Sequence, residues 1–154
     1  MLALHTVQIS VFCKPEEDKQ TISDALHLFL PFDLEKEKIA ITQEQTEGFE
    51  NKIITIFRVH ISKENHTTRF LENFLSHISA SDRKLLLAQA DTRLDDDLQF
   101  FVRIDKEQLI RNKEFRVSDT GNCFHIKMNI ACFPKKRSAA LEVVKRIFEK
   151  KEKD

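Results

Sequence analysis

At 154 residues, 41% hydrophobic and 32% charged, the chain is long enough for one domain, residues 1–154, with a sizeable core and no need of staples. Two glycines leave no Gly-rich phosphate cradle, which disfavours nucleotide chemistry of the Walker or Rossmann kind. The net charge of zero hides an asymmetry: residues 1–50 carry four Lys and ten acids (net −6), and residues 111–154 carry twelve Lys or Arg and six acids (net +6). Polyanion binding follows local charge, so a basic final third matters unless the fold lays it against the acidic part. Thirteen Phe without Trp or Tyr point to aromatics that mostly fill core.

The opening "MLALHTVQISVFC" is apolar, but it alternates like a strand and lacks a basic start. It reads as neither signal peptide nor membrane span, and Cys13, Cys123 and Cys132 then read as reduced, buried thiols of a cytoplasmic protein. His5, Val7, Ile9 and Val11 share one side of this strand. Pro15 is expected to open a helix with Ile22, Ala25, Leu26 and Phe29 on its apolar stripe, stopped by Pro31. Residues 38–44 and 52–61 read as two strands of a hairpin whose loop holds Gly48 and Asn51. A second helix starts near Glu64, with Phe70, Leu71, Phe74, Leu75 and Ile78 at helical spacing. Ser81 is the expected cap of a third.

"RLDDDLQ" then turns into a strand in which Leu98, Phe100, Val102 and Ile104 alternate with Phe101 and Arg103. "KEQLI" gives a helical turn, "EFRV" a short strand and "DTGN" a turn. "CFHIKMNIACF" is a long strand with Phe124, Ile126, Met128, Ile130 and Cys132 on one side and His125, Lys127 and Asn129 on the other. The last helix is expected from Ser138, burying Ala140, Val143, Val144 and Ile147, and "EKKEKD" reads as a frayed end. The order is β-α-β-β-α-α-β-β-β-α. Strands in adjacent pairs imply an α+β fold with a mainly antiparallel sheet and helices on one face.

Such a sheet leaves its second face open to solvent. If Arg103, Lys127, Gln8 and Thr42 share that face, with Phe101 as a stacking platform, it suits single-stranded RNA, because phosphates want Arg and Lys and unstacked bases want exposed rings. Outward charges are also what any solvated sheet shows. Phosphate contacts are assigned to Arg103 and Lys106 at the strand end, with Lys127 on the open face. Lys135, Lys136 and Arg137 border the last helix, whose start would add backbone N–H groups. The rival is a protein-interaction module, or a homodimer, using Ile54, Ile56, Phe101 and Phe133 without nucleic acid.

The run "TRLDDDLQFFVRIDKEQL", with "VQISVFCKPEED" and "IKMNIACFPKK", resembles a family of small archaeal proteins described as predicted RNA-binding or exosome-associated. Its most specific parts are Arg93 to Asp95 and Arg103 to Gln108. The resemblance implies an α+β fold similar to an rRNA-binding ribosomal protein, and exosome subunits as partners in RNA processing. Asp97 and Asn112 stand where the family commonly has glycine. Catalysis is the minority reading. Asp95, Asp96 and Asp97 would have to hold magnesium, but adjacent acids in an extended turn diverge. His125 has no nucleophile at fixed spacing, and His27 and His77 sit near apolar helix faces as structural imidazoles. A non-catalytic RNA binder without cofactor or metal is the expectation.

Overall fold

The computed structural model describes residues 2–149, so the part of "EKKEKD" from residue 150 on lies outside the described residues. A five-stranded antiparallel sheet forms from β1 (Leu4–Cys13), β2 (Ile41–Glu47), β3 (Ile53–Ile61), β4 (Gln99–Asp105) and β5 (Cys123–Ile130), in the order β2-β3-β1-β5-β4. Helices α1 (Lys19–His27), α2 (Glu64–His77), α3 (Ala80–Ala88), α4 (Ala90–Arg93), α5 (Lys106–Asn112) and α6 (Arg137–Glu149) complete the α+β fold. Val7, Ile9 and Val11 of β1, Phe57 and Val59 of β3, Phe100 and Val102 of β4 and Phe124, Ile126 and Met128 of β5 are all buried on the helical side. One face of the sheet is therefore core and the other is left to solvent.

The phenylalanines are the largest part of that core. Eight of the thirteen are buried, and Phe29 packs against Phe115 and Phe124 at ring-centroid distances of 4.9 and 5.4 Å. Each such ring contributes roughly 1.5–3 kcal/mol by leaving water. On α2 the expected stripe is present, with Phe70, Phe74 and Ile78 buried and Leu71 and Leu75 half-buried.

Several boundaries differ from expectation. Pro15 lies in a turn, and α1 starts after Asp18, whose carboxylate accepts the Thr21 N–H (3.2 Å). A side chain that satisfies a free helix N–H is a stronger start than a proline's fixed φ. Ser79, not Ser81, caps α3 by the same device, accepting from the Asp82 N–H at 3.0 Å. The "EFRV" segment makes two isolated bridges, Ile78 to Phe115 and Ile104 to Val117, instead of a ladder. Cys13 and Cys123 are buried, while Cys132 is only half-buried.

In the β2–β3 hairpin Glu50 and Asn51 take left-handed backbone (φ 59° and 60°). A Cβ at Gly48 would meet the tip of the Ile54 side chain, Cδ1, at 2.5 Å, so that side chain would have to shift. Leu98 (φ 63°), after Asp97, and Lys113 (φ 55°), after Asn112, also take left-handed backbone.

Candidate nucleic-acid interface

Strand register sets out the open face. One row across four strands runs Phe101–Lys127–Gln8–His60, and a second across five runs Arg103–His125–Ser10–Arg58–Thr42. At about 4.8 Å between strands, the four-residue row spans roughly 14 Å. Arg103, Lys127, Gln8 and Thr42 thus share one face, as their alternation requires. The outward positions of β1, β3 and β5 hold no carboxylate: Thr6, Gln8, Ser10 and Phe12; Ile54, Ile56, Arg58 and His60; Cys123, His125, Lys127 and Asn129. Glu44 on β2 pairs with Arg58 at 3.2 Å, which leaves the β4–β5 side the more basic.

That side gathers more cations than the sequence reading found. The 116–118 segment runs beside β4, with the Asp105 N–H donating to Arg116 O (2.8 Å) and the Ser118 N–H to Arg103 O (2.9 Å). Val117 is paired with Ile104 on the core side, so Arg116 is turned to the open face. Arg93 lies at the same edge: its guanidinium donates to Phe101 O (3.2 Å) and Gln89 Oε1 (2.9 Å) and stands 3.8 Å from Asp119. Burial lowers its pKa, Asp119 opposes this and nearby Arg103 adds to the lowering. An arginine nonetheless keeps its charge. Arg93 was missed as a site residue because helix α4 had not been expected; Arg116 was missed because a four-residue bridge has no alternation to reveal its face.

Phe101 is 41% exposed and Phe12, on the same face, 46%. Phe12 stands 6.1 Å from the His125 ring. Burial pushes the His125 pKa down, and Arg103 and Lys106 push it further, which favours the neutral imidazole. Cys123 Sγ lies 3.7 Å from His125 Nε2, a thiol–imidazole contact not expected from the sequence. Burial raises that thiol, Asp105 also raises it, and Arg103 and Lys106 offset this only in part. A thiol held protonated is a poor nucleophile.

Lys106 leaves the open face, and Lys135, Lys136 and Arg137 lie at the start of α6. Lys106 is 3% exposed, and its Nζ donates to Phe12 O (2.7 Å) and Glu17 Oε1 (3.1 Å). As the first residue of α5 it turns back to the end of the central strand β1, so it is a structural cation and not a surface one. Arg137 donates to Leu94 O (2.8 Å) and to Asp91 O, which ties α6 to α4. Lys135 and Lys136 are exposed, but they follow β5 at its Ile130 end, away from Arg103 and His125. Phe133 also leaves the open face and lies at a groove lined by α2 and α6.

Asp95 braces the acidic turn. Asp95 Oδ1 accepts the N–H groups of Asp97 and Gln99, both at 2.9 Å, and no cluster of three or more His, Cys, Asp or Glu fit for a metal occurs among the described residues. Asp95→Ala is expected to cost about 1–3 kcal/mol through the stranded N–H groups. Asp96→Ala and Asp97→Ala, at exposed positions, should stay within about 0.5 kcal/mol of the parent in thermal melts.

A family model described as RNA binding matches residues 6–130. The chain belongs to that family. It is 26% identical over 148 residues to the RNA-binding protein PAB1135 of Pyrococcus abyssi, covering 96% of each chain. Two solved structures share its fold. Protein AF2318 from Archaeglobus fulgidus has a TM-score of 0.82 at 19% identity, with 94% of this chain and 99% of that one aligned. Mth689 from Methanothermobacter thermautotrophicus has a TM-score of 0.77 at 21% identity, with 95% and 98% aligned. The matched segment takes in β2 to β5 and all of β1 after His5, and ends at Ile130, before Lys135, Lys136 and Arg137.

Proposed function

We propose that this protein binds single-stranded RNA on the open face of its sheet, without cutting it. The observation that carries this reading is the juxtaposition on one face of Arg103, Arg116 and Lys127 with two half-exposed rings, Phe101 and Phe12, and no carboxylate outward on β1, β3 or β5. Cations neutralise phosphates and rings accept unstacked bases, which are not available in a duplex. Membership of an RNA-binding family supports the ligand class; the sheet geometry supports the face. Arg58 and His60 extend the row toward β2, where Glu44 already holds Arg58.

Binding should be strongly salt-dependent. Log affinity for a generic single-stranded RNA is expected to fall linearly with log salt, at about −0.7 per phosphate neutralised, so three cations give a slope near −2. Fluorescence anisotropy measures it, and RNA recovered from a parallel titration with magnesium should be intact. Absence of binding at low salt defeats the reading. Metal-dependent cleavage that is lost in an Asp95→Ala, Asp96→Ala, Asp97→Ala variant defeats its non-catalytic part.

A further inference from the structure

On the helical side of the molecule lies a groove of about 940 Å³ between α2, α6 and the start of β1. Leu2, Leu71, Leu75, Ala139, Val143 and Ile147 make its lining largely apolar. Phe133 belongs to this lining yet is 97% exposed, so its ring stands at the lip and does not fill the groove. Among the described residues none fills the groove, and an exposed ring beside a contiguous apolar groove is the pattern of an interaction surface.

Charge indicates what fits there. The groove is also lined by the exposed carboxylates Glu72 and Glu142, together with His5 and Arg146. Directly after Phe133 the chain presents Lys135 and Lys136, both exposed. Among the described residues none of these four, Glu72, Glu142, Lys135 or Lys136, has a side-chain ion pair or hydrogen bond. The segment Phe133-Pro134-Lys135-Lys136 therefore has the chemistry its own groove asks for: an aromatic anchor followed by two cations for two carboxylates. It cannot fill that groove from the lip. A second copy can.

We infer that two copies associate through this surface about a twofold axis, each placing Phe133 in the other's groove with Lys135 and Lys136 against Glu72 and Glu142. A twofold contact requires a self-complementary patch, with knob and hole side by side, and that is the arrangement here. The interface lies on the helical layer, opposite the face proposed for RNA, so a dimer would present two open sheets outward. The inference does not depend on RNA binding.

Sedimentation velocity on the full chain, without RNA, tests it. The wild type is expected to dimerise at micromolar concentration. Phe133→Asp should weaken dimerisation by about a hundredfold or more, as loss of a central aromatic anchor does. Its far-UV spectrum should be unchanged, since the ring touches water in the single chain, and its melting should match the wild type's at concentrations where both are monomeric. Lys135→Glu with Lys136→Glu should weaken dimerisation about tenfold, and mixing that variant with Glu72→Lys, Glu142→Lys should restore it as a heterodimer. A wild type that stays monomeric overturns the inference. So does a dimer indifferent to Phe133→Asp, which would use another face, or a charge-reversed pair that fails to recombine.

Discussion

Replacing Arg103 and Lys127 together with Ala is expected to weaken binding of single-stranded RNA by about a hundredfold, which is roughly 3 kcal/mol for two charge-assisted contacts. The salt slope should become shallower by about 1.4, the share of two phosphates. Stability should hardly change. Lys127 makes no side-chain ion pair or hydrogen bond among the described residues, and Arg103 has one long contact to Asp119 O at 3.5 Å. The acids that would make Arg103 a corner brace are already engaged: Asp95 with the backbone of its own turn, and Asp105 with the Gln108 N–H that it caps at 2.8 Å. Exposed charges without partners contribute little to stability, within about 0.5 kcal/mol. Anisotropy titrations and thermal melts on the same variant separate the roles. A lower melting temperature with unchanged affinity would make these residues architecture.

Lys106 should give the opposite result. Its ammonium is buried between Phe12 O and Glu17, so Lys106→Ala leaves a partly buried carboxylate and a backbone carbonyl without their donor. Breaking such a pair from one side costs about 3–5 kcal/mol when fully buried; Glu17 keeps 25% of its side chain in water, so the lower end is expected. RNA affinity of the folded protein should change little. The pH dependence has a definite sign. Burial by itself raises the Glu17 carboxyl, but the Lys14 N–H and the Lys106 ammonium outweigh it and hold it below its ordinary value. A carboxyl lowered in the folded state adds stability above its unfolded pKa and loses it as pH falls through the folded one. The gap between wild type and Lys106→Ala should therefore be widest near neutral pH and shrink in acid. Chemical denaturation at several pH values measures it, and a gap that widens in acid would contradict the assignment.

The sheet was legible because its strands alternate strictly. "FFVRID" and "FHIKMNI" each declare a face, and register then adds those faces across neighbours, as the Phe101–Lys127 and Arg103–His125 pairs show. What alternation cannot give is the fate of a side chain at a strand's end. Lys106 follows Arg103 by three residues and looks equivalent, but the helix that begins there directs it inward to a partner 89 positions earlier in the chain. Arg137 stands at the start of the last helix as expected, but its acceptors, Asp91 O in α4 and Leu94 O just after it, lie more than forty residues away and no local pattern announces them. Caps were read one device too early at Pro15 and two residues late at Ser81, since several residues in each stretch can start a helix and only packing selects one. Arg93 and Arg116 join the basic edge through tertiary contacts that no local pattern announces.

RNA is expected to meet the open sheet face and not the helical layer. Nuclear magnetic resonance mapping tests it most directly: amide shifts of the labelled protein are followed as a short unstructured RNA is added at low salt. Perturbations are expected to concentrate on β1, β4 and β5 around Gln8, Phe12, Phe101, Arg103, His125 and Lys127, with Arg116 beside them, and to leave α2 and α6 quiet. Shifts gathered around Lys135, Lys136 and the start of α6, with the sheet unmoved, would contradict it.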